Sequence, residues 1–124
     1  MMSPESAPPP LEPPKSPAKK HSGMGIASFV IGVAGGLALF ALFAVAGFMQ
    51  ISNPGGMDEK SGAAMLVGLL VIGFCLAHLL GAGLGIGALF QAERSKVFAV
   101  IGLVINTVIL AGTIGLIVLG TVMK

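Results

Sequence analysis

His78, Asn106 and Thr113 interrupt stretches of sequence otherwise built from aliphatic and small residues. An ionisable or amide side chain in such a setting is costly to place, and it marks either a packed polar contact or a path for a proton or ion. A neutral imidazole both donates and accepts, so an amide or hydroxyl on a neighbouring helix is a suitable partner for His78. Counted from the charged turn at Glu93-Arg94-Ser95-Lys96, His78 lies about 16 residues deep, Asn106 about 11 and Thr113 about 18, which makes Thr113 the first match in depth and Asn106 the second. The apolar stretches hold no Asp, Glu, Lys or Arg to act as relay partners. A structural hydrogen bond is therefore favoured over proton or ion handling.

Other chemistry is poorly provided for. Cys75 and His78 form a single i, i+3 pair, half a metal site at best, and neither a metal nor another cofactor is expected. A lone buried cysteine reads as packing. No nucleophile and base fall at a catalytic spacing, so Ser28 and Ser95 read as packing and capping and the chain is not expected to be an enzyme. Rotary-ring subunits and small multidrug exporters need a membrane-embedded carboxylate, which the apolar stretches lack. Lys15, Lys19 and Lys20 form a short basic cluster without interleaved aromatics, which suits an anionic leaflet and argues against nucleic acid.

The elements that must position these residues follow from composition. With 55% hydrophobic and 10% charged residues, the 124-residue chain has too little polar surface to coat a soluble globule. Three uncharged runs, Ser22 to Met57, Ser61 to Ala92 and Val97 to Met123, each exceed the ~20 residues that cross a hydrocarbon core. The chain is expected to be all-α and polytopic, a three-helix membrane domain over 22–124 with spans at about 23–51, 61–92 and 97–123. The run from Met24 to Met49 is longer than the ~7 to 15 residues of a signal-peptide core, so Ala44-Val45-Ala46 is not read as a cleavage site.

Residues 1–21 hold seven prolines and should form a disordered tether. Ser52-Asn53-Pro54-Gly55-Gly56 forces a turn after the first span. Asp58 and Glu59 precede the second span, where their charge suits a helix start, and Ser95 is the expected N-cap of the third. A straight helix over Ser61 to Ala92 would be about 48 Å long and need a tilt near 50°, beyond the usual ~0 to 40°. The second span must project from the bilayer or bend within 81–87.

Glycine supplies the packing pattern. Ser28, Gly32 and Gly36 recur every four residues in span one, and Gly73, Ala77, Gly81 and Gly85 do so in span two. Such rows let helices approach closely, within one chain or between copies. In span three Ala99, Asn106, Thr113 and Gly120 repeat every seven, with Gly102 on the same stripe, which aims Asn106 at protein. His78 falls within about 20° of Gly85 around its helix and faces the packed side.

The segment Leu80-Gly81-Ala82-Gly83-Leu84-Gly85-Ile86-Gly87-Ala88-Leu89-Phe90, the charged turn, and Val97 to Asn106 together resemble a family of small bacterial glycine-rich multi-pass membrane domains with no assigned activity. Gly25-Ile26-Ala27-Ser28-Phe29-Val30-Ile31-Gly32 is similar to their first span. The resemblance implies an architecture and a bacterial cytoplasmic membrane. The expected function is structural or accessory, with the bilayer, a membrane-protein partner or further copies of the chain as partners; the alternative is a homo-oligomeric pore or transporter component using His78 and Asn106.

Basic residues near the span ends divide as Lys15, Lys19, Lys20, Arg94 and Lys96 on the tail side against Lys60 and Lys124 on the other. This favours an inside amino terminus and an outside carboxyl terminus. An Asp58→Cys variant is accordingly expected to react with membrane-impermeant thiol reagents added outside intact cells, and labelling only after the cytoplasm is opened would reverse the topology.

Overall fold

The computed structural model describes residues 8–124, so the first seven residues of the expected tether lie outside the described residues. Three helices follow in chain order: α1 (Gly23–Ser52), α2 (Gly62–Leu89) and α3 (Val97–Val122). Each is long and apolar enough to cross a membrane. The chain is a small, all-helical, multi-pass integral membrane protein. Residues 8–19 carry neither helix nor strand.

The helix boundaries have local causes. Ser22 caps α1 and accepts a hydrogen bond from the Gly25 amide at 3.2 Å; Ser61 caps α2 and accepts from the Ala64 amide at 3.1 Å. Each hydroxyl satisfies a first-turn amide that would otherwise lack an acceptor. Asp58 and Glu59 stay in the preceding loop, where the Asp58 carboxylate accepts from the Lys60 amide at 3.0 Å. After α1 the chain reverses through Gly55 and Gly56, both near φ +85° and +83°, a conformation only glycine adopts without strain.

Two expectations about α2 and α3 are corrected. α2 is one uninterrupted helix ending at Leu89, because Phe90, Gln91 and Ala92 leave the helix before the charged turn. Its 28 residues measure about 42 Å, longer than the ~30 Å hydrocarbon core, so its ends reach into the headgroup layers, the first of the two outcomes expected for an overlong span, and it is helical throughout 81–87. Ser95 does not cap α3. The N-cap is Lys96, with no side-chain bond, because Ser95 is engaged in a short strand.

That strand, β2 (Arg94–Ser95), pairs in parallel with β1 (Lys20–His21), and Lys20 stands beside Arg94 and His21 beside Ser95. The end of the tether is thus fixed to the α2–α3 turn. His21 packs edge-on against Phe98, with ring centroids 4.9 Å apart, and Phe98 packs likewise against Phe29 at 5.3 Å. The Ser22 hydroxyl also donates to the Gln91 side-chain carbonyl, and the Gln91 amide reaches the Met24 sulfur at 3.4 Å. Residues just outside α1 are therefore held against residues just outside α2 and α3.

Burial divides the bundle into unequal halves. At the end bearing the tether and the α2–α3 turn, hereafter the turn end, lie all the buried helical residues: Gly25, Ser28, Gly32 and Leu39 of α1, Val71 to Ala88 of α2 in part, and Ala99 to Thr113 of α3 in part. Past Leu39, Val71 and Thr113, toward the α1–α2 loop, no described residue of the helices is buried. Glycine divides in the same way. A Cβ on Gly25 would come 3.0 Å from the Ala99 nitrogen, and one on Gly102 would come 2.6 Å from the Phe29 nitrogen and 2.8 Å from the Ser28 carbonyl carbon. Gly47, Gly115 and Gly120 in the open half would meet nothing within 4 Å, as would Gly73 and Gly83 on the exposed side of α2.

These clashes are with backbone, which cannot move aside as a flexible side chain could. Gly102→Ala is expected to cost about 1–3 kcal/mol of stability in detergent, whereas Gly120→Ala should cost none. Unfolding followed by circular dichroism measures both, and equal effects would contradict the division into a packed and an open half.

Candidate functional site

His78 and Asn106 meet at the centre of the packed half, both with no exposed surface. The glycine row of α2 turns His78 inward, and the heptad stripe of α3 does the same for Asn106. Nδ1 of His78 lies 2.8 Å from Oδ1 of Asn106. The Asn106 amide nitrogen is 2.8 Å from the Ser28 carbonyl oxygen on α1 and 2.7 Å from the Gly102 carbonyl oxygen on its own helix, with the Ser28 hydroxyl at 3.4 Å. A single side chain bridges all three helices.

The bonding pattern fixes the tautomer of His78. Two carbonyl oxygens beside the Asn106 nitrogen can only accept, so the nitrogen points at them and Oδ1 faces the imidazole. Oδ1 is an acceptor, which requires Nδ1 of His78 to carry the hydrogen. Nε2 is buried and without a hydrogen-bond partner among the described residues. It faces Gly35 of α1: a Cβ there would lie 3.2 Å from both Cε1 and Nε2. The absence of a Cβ at Gly35 is what leaves room for the ring between the helices.

The glycines around this cluster are shaped to it. A Cβ on Gly81 would fall 2.6 Å from Oδ1 of Asn106, and one on Gly32 would fall 3.2 Å from its Nδ2. A Cβ on Gly85 would fall 2.9 Å from the Ser28 hydroxyl oxygen and 3.2 Å from the Ala99 carbonyl oxygen. Gly36 faces Ile109 of α3. Ser28, Gly32, Gly36, Gly81 and Gly85 are thus brought to one interface. Ala77 is half-buried beside it, and Gly73 is exposed with nothing near its Cβ position.

The order of His78's partners is the reverse of the depth expectation. Thr113 is buried further along the α3 stripe, but His78 is bonded to Asn106. Because α2 ends at Leu89, His78 stands eleven residues from its helix end and Asn106 nine from the start of α3 at Val97, which puts them level. No glycine, proline or charge at Phe90, Gln91 or Ala92 signals that the helix stops early. Gly35 carries no signal either, since it falls outside the four-residue row of α1.

As chemistry, the cluster offers a neutral donor chain and one buried acceptor. Cys75 is half-buried and free, and no group of three or more metal-binding side chains occurs among the described residues. No protein family, curated protein or solved structure is found to match the chain.

A double-mutant cycle tests the central bond. His78→Leu and Asn106→Leu should each destabilise the bundle, and their combination should cost less than the sum by about 0.6–2 kcal/mol, the range for hydrogen bonds between membrane helices. Strictly additive effects in a reversible detergent unfolding assay would mean that the pair contributes nothing as a pair.

Proposed function

We propose that this protein serves a structural or accessory role in the membrane, packing through its glycine faces and catalysing no reaction. The observation that carries the reading is the enclosure of His78 and Asn106. The Asn106 amide and Nδ1 of His78 are spent on one another and on backbone carbonyls inside a single chain, and both side chains are enclosed there, which supports a packing role. An orientation with the tether inside, a bacterial cytoplasmic membrane and kinship with the glycine-rich domains described above belong to the same proposal, supported by the distribution of basic residues and the segments flanking the charged turn. The partner in this reading is another membrane protein or a further copy of the chain.

One atom favours the alternative, a homo-oligomeric pore or transporter component. Nε2 of His78 is a buried acceptor with no partner, the feature a proton or cation site would exploit. The two readings separate on mass and flux. The structural reading expects a detergent-solubilised protein of low, undefined or hetero-oligomeric mass, and proteoliposomes whose proton and potassium leak is the same for the wild type and His78→Gln. A closed ring of defined stoichiometry, with a flux abolished by His78→Gln, would overturn it.

A further inference from the structure

The turn end carries a cationic concavity assembled from two distant parts of the chain. Parallel pairing of Lys20–His21 with Arg94–Ser95 sets Lys20 directly beside Arg94. Like charges in register repel, so the pairing brings together two cations that would otherwise separate. An open hollow of about 680 Å³ lies there, lined by Pro17, Lys19, Lys20, Glu93 and Arg94 among others. Three cations face one carboxylate in it, and Lys96 stands exposed two residues beyond Arg94. The ion pair found among the described residues, Lys124 with Glu59, lies at the opposite end. Among the described residues Glu93 is the one carboxylate that lines the hollow.

Its level in the membrane narrows the ligand. Lys20 precedes the start of α1 by three residues, and Arg94 lies between the end of α2 and the start of α3, so the hollow sits where three membrane-crossing helices reach the headgroup layer. Exposed Phe90 and Val97 stand at the adjoining ends of α2 and α3, two and three residues in sequence from the lining residues Ala92 and Arg94. A phosphodiester with acyl chains beside it matches both surfaces at once: the guanidinium of Arg94 can bind two phosphate oxygens, with the lysine ammonium groups adding point charge.

We propose that the hollow formed by Lys19, Lys20 and Arg94 binds the headgroup of an anionic phospholipid, with the tether's pairing to the α2–α3 turn as the device that builds the site. The inference rests on membrane embedding and is independent of whether the protein is structural or a pore.

The test uses the full chain in a neutral detergent, with phosphatidylglycerol or phosphatidylcholine added and retention of lipid read by native mass spectrometry. The wild type should retain phosphatidylglycerol preferentially. Lys20→Gln and Arg94→Gln should each weaken that retention about fivefold, in line with ~1 kcal/mol per basic residue at an anionic surface, while Lys60→Gln at the other end should not. Helical circular dichroism on each variant separates loss of the site from loss of the fold; if a single variant unfolds, Lys19→Gln, which leaves the strand pair intact, takes its place. Equal retention of the two lipids by the wild type would overturn the proposal and leave the hollow to an acidic protein segment. Undiminished preference in a folded variant would overturn it too, as would full displacement of the lipid by millimolar glycerol phosphate, which would identify a soluble phosphate ligand.

Discussion

The side chain of Asn106 is the constraint on which the rest of the bundle depends. Within a membrane, helices gain nothing from removing apolar surface from water, so association has to come from close contact and from polar groups that need partners. Asn106 has one carbonyl and two N–H hydrogens, and the bundle gives the amide nitrogen a carbonyl on α1 and one on α3 while its oxygen accepts from α2. Rotating any one helix would strand a polar atom in an apolar interior, at a cost of a few kcal/mol. The amide therefore specifies rotation and register together. The glycines follow from it, since Gly81 and Gly32 lie where a Cβ would collide with that same amide.

The unequal halves of the bundle can be traced to their connections. At the turn end the α2–α3 link is seven residues, and the tether, Ser22 and Gln91 add cross-links just outside the helix ends, which leaves little freedom for the helices to separate. At the other end the α1–α2 link passes through Pro54 and two glycines in left-handed conformation, and the carboxyl terminus is held by the exposed pair of Lys124 and Glu59. Exposed ion pairs contribute little. Burial accordingly continues about two turns beyond the His78–Asn106 pair, to Leu39, Val71 and Thr113, and no further. The glycines beyond, such as Gly47, Gly68, Gly115 and Gly120, face open space within the chain.

The spans themselves could be read from the sequence, because uncharged runs of this length have no other stable arrangement, and the inward faces of α2 and α3 could be read from glycine and heptad spacing. What escaped was set by contacts between segments far apart in the chain. Lys20 and His21 have no strand pattern; they pair because α1 must start beside the turn that joins α2 to α3. Ser95 was lost as a cap for the same reason. The choice of Asn106 over Thr113 turned on three residues at the end of α2, where Phe90, Gln91 and Ala92 leave the helix without a glycine, proline or charge to announce it. Four-residue spacing identified Gly81 and Gly85 but passed over Gly35, whose place is defined by the imidazole of another helix.

The same contact that makes His78 fit also removes it from ordinary chemistry. Its Nδ1 hydrogen is committed to Asn106, whose amide is in turn committed to two carbonyls, so the imidazole cannot turn over without breaking the bond that sets the register of the bundle. A proton or cation reaching Nε2 would have to displace α1 at Gly35, since the glycine Cα closes that side. Reactivity at His78 and integrity of the packed half are therefore in direct competition. A fold that used this residue as a carrier would need α1 to move on every cycle, yet α1 is held at its first turn by Ser22 against Gln91 and by the tether against Arg94 and Ser95. The basic side chains around that same clasp stay exposed, whereas the polar groups of the interior are committed to the contacts that hold the packed half together.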